Sequence, residues 1–239
     1  MTVSTSTSFS MTTEQLVKSA LRKLSVLGDG QSPSTTQYDA GVEALNAMLK
    51  TFVVKGMPLW AITEQDVPLI ASTSEYEFGE SVLPAATPAP LKVLQAVLKD
   101  LTAETSIPMN VRTHYDFNLL SNQASEGTPN TYWYEPLNQT GILHIWPLPD
   151  SYSVTNRVIT LVYQRPFYDM IDVTDTLDFP QWWHDAVIWG LAFRLAPEYG
   201  IPLQDRKNLG LEAQFFLEEA LSFGEEEGSM YFQPDWVTK

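Results

Sequence analysis

The spacing of apolar residues changes twice along this chain of 239 residues. It follows a helical period to about residue 58, short alternating runs from 59 to 177, and a helical period again from 178. Helices and strands bury different sets of positions, so this order leaves few ways to close a core. It predicts an α+β fold in which N- and C-terminal helices form one bundle, with an antiparallel β-rich module inserted between them. The implied parts are a flexible N-terminal arm (1–11), a helical bundle (12–58 and 178–224), the β-rich module (59–177) and an extended C-terminal arm (225–239).

The first two helices announce their starts. Thr12-Thr13-Glu14-Gln15 has the spacing of a capping box, and Leu16, Ala20, Leu21 and Leu24 follow on one face. Gly28-Asp29-Gly30 is the expected stop. Ser34-Thr35-Thr36-Gln37 repeats the device, with Leu45, Met48, Leu49 and Phe52 on one face, Gly56 as the stop and Pro58 just beyond. The short link between the two helices implies antiparallel packing.

From residue 59 the pattern is that of strands. Residues 60–63, 74–78, 131–135, 142–146 and 157–165 are strand candidates. Residues 91–101 fit either strand or helix by pattern, and their neighbours favour strand. Ile159, Leu161 and Tyr163 alternate with Thr160 and Gln164, which predicts a sheet with one wetter face. Residues 114–121 read as a short helix. Pro84, Pro88 and Pro90 mark one loop and Pro147-Leu148-Pro149-Asp150 another.

The stretch FPQWWHDAVIWGLAFRLAPEYGIP, residues 179–202, reads as one helix with Asp178 as its cap and Pro180 in its first turn, running to about Ala196. Trp182, Ala186, Trp189, Phe193 and Ala196 form one apolar stripe; Val187, Ile188, Leu191 and Leu195 form another. A helix apolar nearly all round is expected at the centre of a bundle, buried on most faces. His184, on the second stripe, is expected to be a hydrogen-bonded structural residue. After Gly200-Ile201-Pro202 a last helix covers 203–223, with Leu209, Ala213, Phe216, Leu217 and Ala220 on its core face. Leu211 and Phe215 lie almost opposite that face. Either a neighbouring subunit or the β-rich module covers them, and helical period does not choose between the two.

Composition narrows the function. Lys and Arg number 14 against 29 Asp and Glu, a net charge of -15, so tight binding of nucleic acid phosphates is disfavoured. Without cysteine there are neither disulfides nor thiolate metal sites. Three histidines make a dedicated zinc site an unattractive reading. The N-terminal MTVSTSTSFSMTTEQ lacks the basic and apolar regions of a signal peptide, and no run approaches membrane-spanning length. Charged residues are only 18%, which leaves neutral surface of the kind oligomer interfaces use. Phosphate-cradling loops, the nucleophile elbow and the zinc-protease helix motif are all missing from the sequence. No catalytic residue, metal or cofactor is therefore expected. Met230, Tyr231, Phe232 and Trp236 follow the run Glu225-Glu226-Glu227 and suit a C-terminal arm that docks on a partner, or a tail folded back on its own domain.

The segments ALRKLSVLGDGQSPS, ALNAMLKTFVVKGMPLW, ILHIWPLP and DFPQWWHDAVIWGLAFRLAPEYGIP, in this order and spacing, resemble the head-to-tail adaptor proteins of short-tailed bacteriophages, the head completion or tail tubular protein A-like family. The resemblance covers most of residues 12–202. It implies a structural virion protein, not an enzyme, made in the bacterial host cytoplasm and placed in the neck. Such a protein forms a cyclic ring of about 12 copies beneath the portal protein ring. The ring closes the head after DNA packaging and carries the next tail protein, a nozzle or tube. Double-stranded DNA passes through without being tightly bound, and no membrane is involved. The family's C-terminal segments extend to the portal, which would suit the aromatic tail. Rival readings are a stopper or tube subunit, a tail-associated cell-wall hydrolase with a carboxylate pair, and a carbohydrate- or receptor-binding module using Trp133 and Trp146.

Overall fold

The computed structural model describes residues 9–55, 61–79, 88–138 and 140–223, except for the side chains of 53–55. The expectations at Gly56, Pro58, Trp60, Pro84 and the C-terminal arm lie outside the described residues, as does most of the N-terminal arm. The chain divides into two compact units, Met1–Met48 with Met170–Lys239, and Leu49–Asp169. Helices and antiparallel-rich sheets make the fold α+β.

The first unit is helical. α1 (Thr13–Lys23) starts in a complete capping box: the Thr12 hydroxyl accepts from Gln15 N at 3.4 Å, and Gln15 Oε1 accepts from Thr12 N at 3.1 Å. Its Leu16, Val17, Ala20 and Leu21 are fully buried. α2 (Thr35–Lys55) starts the same way, with Ser34 N donating to Gln37 Oε1 at 3.0 Å and Gln37 N to Ser34 Oγ at 3.3 Å. Leu45, Met48, Leu49 and Phe52 are buried on one face of α2, as expected. A Cβ on Gly41 would stand 2.6 Å from Val17 Cγ1, so that glycine lets the two helices approach. The main partner of α1, however, is α5 (His184–Leu195) rather than the helix that follows it in sequence.

The stop of α1 differs from expectation. The helix ends at Leu24, before Gly28-Asp29-Gly30, because Ser25 turns left-handed with φ 58°. Ser25 N donates to Arg22 O at 3.0 Å and Val26 N to Leu21 O at 3.1 Å, the bond pair of a Schellman cap with serine where glycine is usual. A left-handed L-residue costs about 1–2 kcal/mol, offset in part by the extra unfolded-state entropy of glycine. Ser25→Gly is therefore expected to raise stability by about 0.5–1 kcal/mol, read as a melting temperature higher by about 1–4 °C. An unchanged or lower melting temperature would show that the serine side chain contributes to the cap.

The start of α1 is fastened to the loop before α5. Thr12 and Thr176 form an antiparallel bridge, and Thr13 N donates to Asp175 O at 2.8 Å. The Asp175 carboxylate accepts from Asp172 N and Ile171 N, and these two bonds hold its pKa below the usual value. The stretch 179–202 is not one helix. Gln181–Trp183 is a 3-10 turn, Pro180 rather than Asp178 holds the N-cap position of that turn, and α5 begins only at His184. Gly200, at φ 68°, separates α5 from α6 (Leu203–Phe223).

The second unit is built on two four-stranded sheets. β1 (Ile62–Pro68), β2 (Glu75–Phe78), β3 (Lys92–Asp100), β4 (Thr105–Pro108) and β5 (Asn110–Val111) precede the short helix α3 (His114–Asn118). Then follow β6 (Glu126–Gly127), β7 (Thr131–Pro136), β8 (Gly141–Trp146), β9 (Leu148–Pro149), α4 (Ser151–Asn156) and β10 (Arg157–Gln164). The orders are β1-β10-β3-β4 and β2-β8-β7-β5, with a small parallel pair β6-β9. Both sheets give side chains to one core, including Leu98, Ile159 and Leu161 from the first and Phe78, Tyr132 and Leu143 from the second. Residues 91–101 resolve as strand.

Two sequence expectations fail in this unit. The loop at Pro147-Leu148-Pro149-Asp150 contains β9, and Asp150 caps α4 by accepting from Ser153 N at 2.8 Å. That bond is the main cause of a lowered Asp150 pKa. The predicted wetter face of β10 is also buried at Thr160 and Gln164, and Thr160 donates its hydroxyl to the Asp66 carboxylate. At the far end of β10, Arg157 Nε lies 3.0 Å from Asp100, whose carboxylate also accepts from Ala103 N and Thr102 N. The Ala103 bond first and Arg157 second pull the Asp100 pKa down. These contacts close the β3–β4 turn.

Candidate functional site

The most unusual surface of the helical unit lies along α5 and α6. Trp182 meets Phe223 with ring centroids 4.9 Å apart, and Trp189 stacks on Phe216 at 6.0 Å and 13°. Phe193 lies over Gly210, where an added Cβ would stand 3.1 Å from the ring. Later positions of α5 meet earlier positions of α6, so the two helices run antiparallel and carry a ladder of aromatic contacts along their seam. Lys23 Nζ sits 4.5 Å from the Trp189 ring centroid and places a cation at the edge of the ladder.

α5 is buried on most faces, as expected, and two large rings of the expected stripe depart from that pattern, Phe193 on α5 and Trp182 in the 3-10 turn before it. Val187, Ile188, Leu191 and Leu195 are buried, but Trp182 and Phe193 are exposed. The small members of the expected stripe, Ala186 and Ala196, are buried, while the large rings lean over α6 and keep part of their surface in water. His184 is buried too, with the Phe9 ring edge-on at 5.5 Å. Its Nδ1 has no hydrogen-bond partner among the described residues. Burial pulls its pKa down, against a smaller raising effect of Asp185.

On α6 the expected core face is present: Leu217 and Ala220 are buried, and Leu209, Ala213 and Phe216 are half-buried. Leu211 and Phe215 point the other way and are 67% and 61% exposed. No described residue of the helical unit buries them. Phe215 also meets Phe216 edge-on at 5.4 Å, which joins the outward row to the seam. Trp182 in the 3-10 turn, Phe193 on α5, and Leu211, Phe215 and Phe223 on α6 are thus exposed apolar side chains. Sequence reading found the outward row but assigned the Trp182 and Phe193 rings to the interior. Met230, Tyr231, Phe232 and Trp236 lie outside the described residues.

The second unit offers the aromatic residues of a rival reading. His114, at the start of α3, stacks on Trp133 at 4.3 Å, and His144, its cross-strand partner on β8, stacks on the other face at 4.4 Å. Both faces of Trp133 are occupied by imidazoles, which leaves none for a sugar ring. Glu135 and Glu75 stand 3.5 and 3.7 Å from the His144 nitrogens. Trp146 spends its indole N–H on Asn122 O at 2.8 Å. Among the described residues, the carboxylates with displaced pKa values, Asp100, Asp150 and Asp175, are all shifted down by hydrogen bonds, opposite to what a general acid needs. No helix is long and apolar enough to cross a membrane among the described residues.

Comparison with known proteins adds one positive result. A family model described as SU10 adaptor protein matches residues 11–232. The match takes in both units and all of α6, well past the segments that carry the resemblance in the sequence. No curated protein matches the chain.

Proposed function

The chain belongs to the SU10 adaptor protein family, a family of phage head–tail adaptor type, and from that premise we propose that it forms a closed ring at the portal vertex, completes the head after DNA packaging and joins it to the tail. Membership makes it a structural virion component. The finer reading adds a portal protein ring above, a nozzle or tube protein below, and about 12 copies in cyclic symmetry. The observation that carries it is the exposed row Leu211 and Phe215 on the outer face of α6. A head-to-tail ring needs each copy to present apolar surface to the next, and this row is apolar surface that the helical unit itself leaves uncovered.

Other features support the same reading. The net charge of -15 suits a channel wall that DNA passes without sticking, since counterion release rewards only basic surfaces. A chain without cysteine suits assembly in a reducing host cytoplasm. Residues 225–239, with Met230, Tyr231, Phe232 and Trp236, supply aromatic anchors for the portal.

The test is mass by light scattering. The expected results are a monomer alone, a large complex when portal is added, and loss of that complex when residues 225–239 are deleted. Failure of every form to associate with portal would overturn the reading. Large rings formed without portal would overturn the order of assembly, in which rings wait for a filled head.

A further inference from the structure

We propose that β4 of one copy pairs edge to edge with β1 of the next, so that the first sheet of the second unit runs on from copy to copy. The proposal rests on the ring reading above and names a contact that the row on α6 does not supply. The strand order β1-β10-β3-β4 leaves β1 and β4 as the two edges of the sheet. Every residue of β4 is exposed. An open edge carries unpaired amides and carbonyls, and a further strand is what satisfies them.

Register shows what each edge offers. Arg165 N donates to Ala61 O at 2.9 Å beside β1, and Met109 N donates to Ala96 O at 2.9 Å beside β4. Antiparallel ladders alternate residue by residue, so these two bonds fix the phase. Ile62, Glu64 and Asp66 turn their backbone groups away from β10, and Ser106 turns its own away from β3. Pro68 and Pro108 share that outward phase, where a missing amide costs the sheet no bond. Each step across the sheet is antiparallel, so β1 and β4 run in opposite directions. A ring of about 12 copies turns each copy by only about 30° from the last, so β1 of one meets β4 of its neighbour close to antiparallel.

The apolar interior also stops short at β4. Val67, Ile159, Leu98 and Ile107 stand opposite one another in turn across the four strands. The first three are buried, whereas Ile107 is 51% exposed. The row ends in water because no strand follows β4 in this sheet among the described residues. Charge favours a second copy as the occupant. Residues 62–78 hold four carboxylates, Glu64, Asp66, Glu75 and Glu77, and no Lys, Arg or His. Residues 105–115 hold Arg112 and His114 and no carboxylate. Lys99 stands opposite Ser106, on the sheet face that also bears Glu64 and Asp66. Pairing β1 with β1 would set carboxylate against carboxylate; pairing β1 with β4 sets carboxylates near cations. Each copy carries both edges, so the contact is heterologous, as a ring requires.

The chain has no cysteine, so paired cysteines mark this contact without background from other thiols of the chain. Within one copy three strand steps of about 4.8 Å separate the edges, too far for a disulfide. Ser106→Cys is combined in turn with Ile62→Cys, Glu64→Cys and Asp66→Cys in the full chain, assembled on portal and oxidised. One of these pairs is expected to give a ladder of covalent multimers on a non-reducing gel. Its yield should exceed by at least about tenfold that of Ser106→Cys with Thr63→Cys, whose side chain takes the other face of the sheet. In the parent chain, amide hydrogen exchange at residues 62–66 and 105–108 should slow on assembly. An assembled ring with no ladder from any of the three pairs and unchanged exchange at both edges would overturn the contact and leave the ring reading intact. Slowed exchange without a ladder would give the edges to portal or another segment, and would equally overturn it. Failure of the parent chain to assemble on portal would overturn the ring reading, and this contact with it.

Discussion

A chain carrying Leu211→Glu together with Phe215→Lys is expected to melt within about 2 °C of the parent and yet fail to build a ring on the portal. The first half follows from exposure. Both side chains are already more than half in water on the face of α6 away from its core, so their removal leaves no cavity. The pair is chosen to leave the net charge unchanged and to place Glu four residues before Lys, an arrangement that mildly supports a helix. The second half follows from the interface reading. Truncated aromatic anchors cost about 2 kcal/mol or more each when they sit in a desolvated contact. Here every contact in the ring would also have to desolvate the introduced ion pair, a cost that its mutual attraction does not fully offset. Thermal denaturation by circular dichroism and light scattering with portal check the two halves separately. A normal ring from the double variant would remove Leu211 and Phe215 from the subunit contact. A large drop in melting temperature would show instead that they support the fold.

What the sequence made legible follows the physics of short-range signals. The boxes at Thr12–Gln15 and Ser34–Gln37 are readable because each closes within four residues, and both form with reciprocal bonds. The two-sided character of α6 is readable because an unbroken helix keeps one phase over its 21 residues. Signals that depend on distant groups stay hidden. Ser25 ends α1 without the glycine that usually marks a left-handed cap. The buried polar face of β10 is tolerable because Asp66, on the neighbouring strand, accepts from Thr160, and nothing in β10 itself announces that partner. Helix α4 hides behind Pro147-Leu148-Pro149, a loop signal that outweighs the cap at Asp150. The exposed surface was half legible: period found Leu211 and Phe215, but whether the Trp182 and Phe193 rings go inward depends on how much of each ring α6 can cover.

The adjacent tryptophans Trp182 and Trp183 offer the sharpest test of where that reading failed, and the expected result is a strong asymmetry. Trp183→Ala should destabilise the helical unit by about 3–5 kcal/mol, and Trp182→Ala by no more than about 1 kcal/mol. A wheel with helical phase carried back to residue 179 puts Trp182 on an apolar stripe with Ala186 and Trp189. The structure instead leaves Trp182 48% exposed and Trp183 2% exposed, with Trp183 packed 5.5 Å from the Phe179 ring. The cause is the 3-10 turn at Gln181–Trp183, which advances about 120° per residue rather than the helical 100° and so breaks the phase before α5 begins. Trp183 fills the interior beside the start of α5, where its loss leaves a cavity too large to collapse. Trp182 lies on the surface against Phe223, where water replaces it at small cost. Urea unfolding midpoints of the two variants, with the slope checked against the parent, measure the difference. Equal losses would mean that the helical phase does run back through residue 182 and that the 3-10 turn is misplaced. The predicted asymmetry carries a functional corollary: Trp182→Ala should fold normally but weaken ring assembly if the subunit contact reaches the exposed Trp182–Phe223 pair. Trp183→Ala should weaken assembly only to the extent that it unfolds the chain.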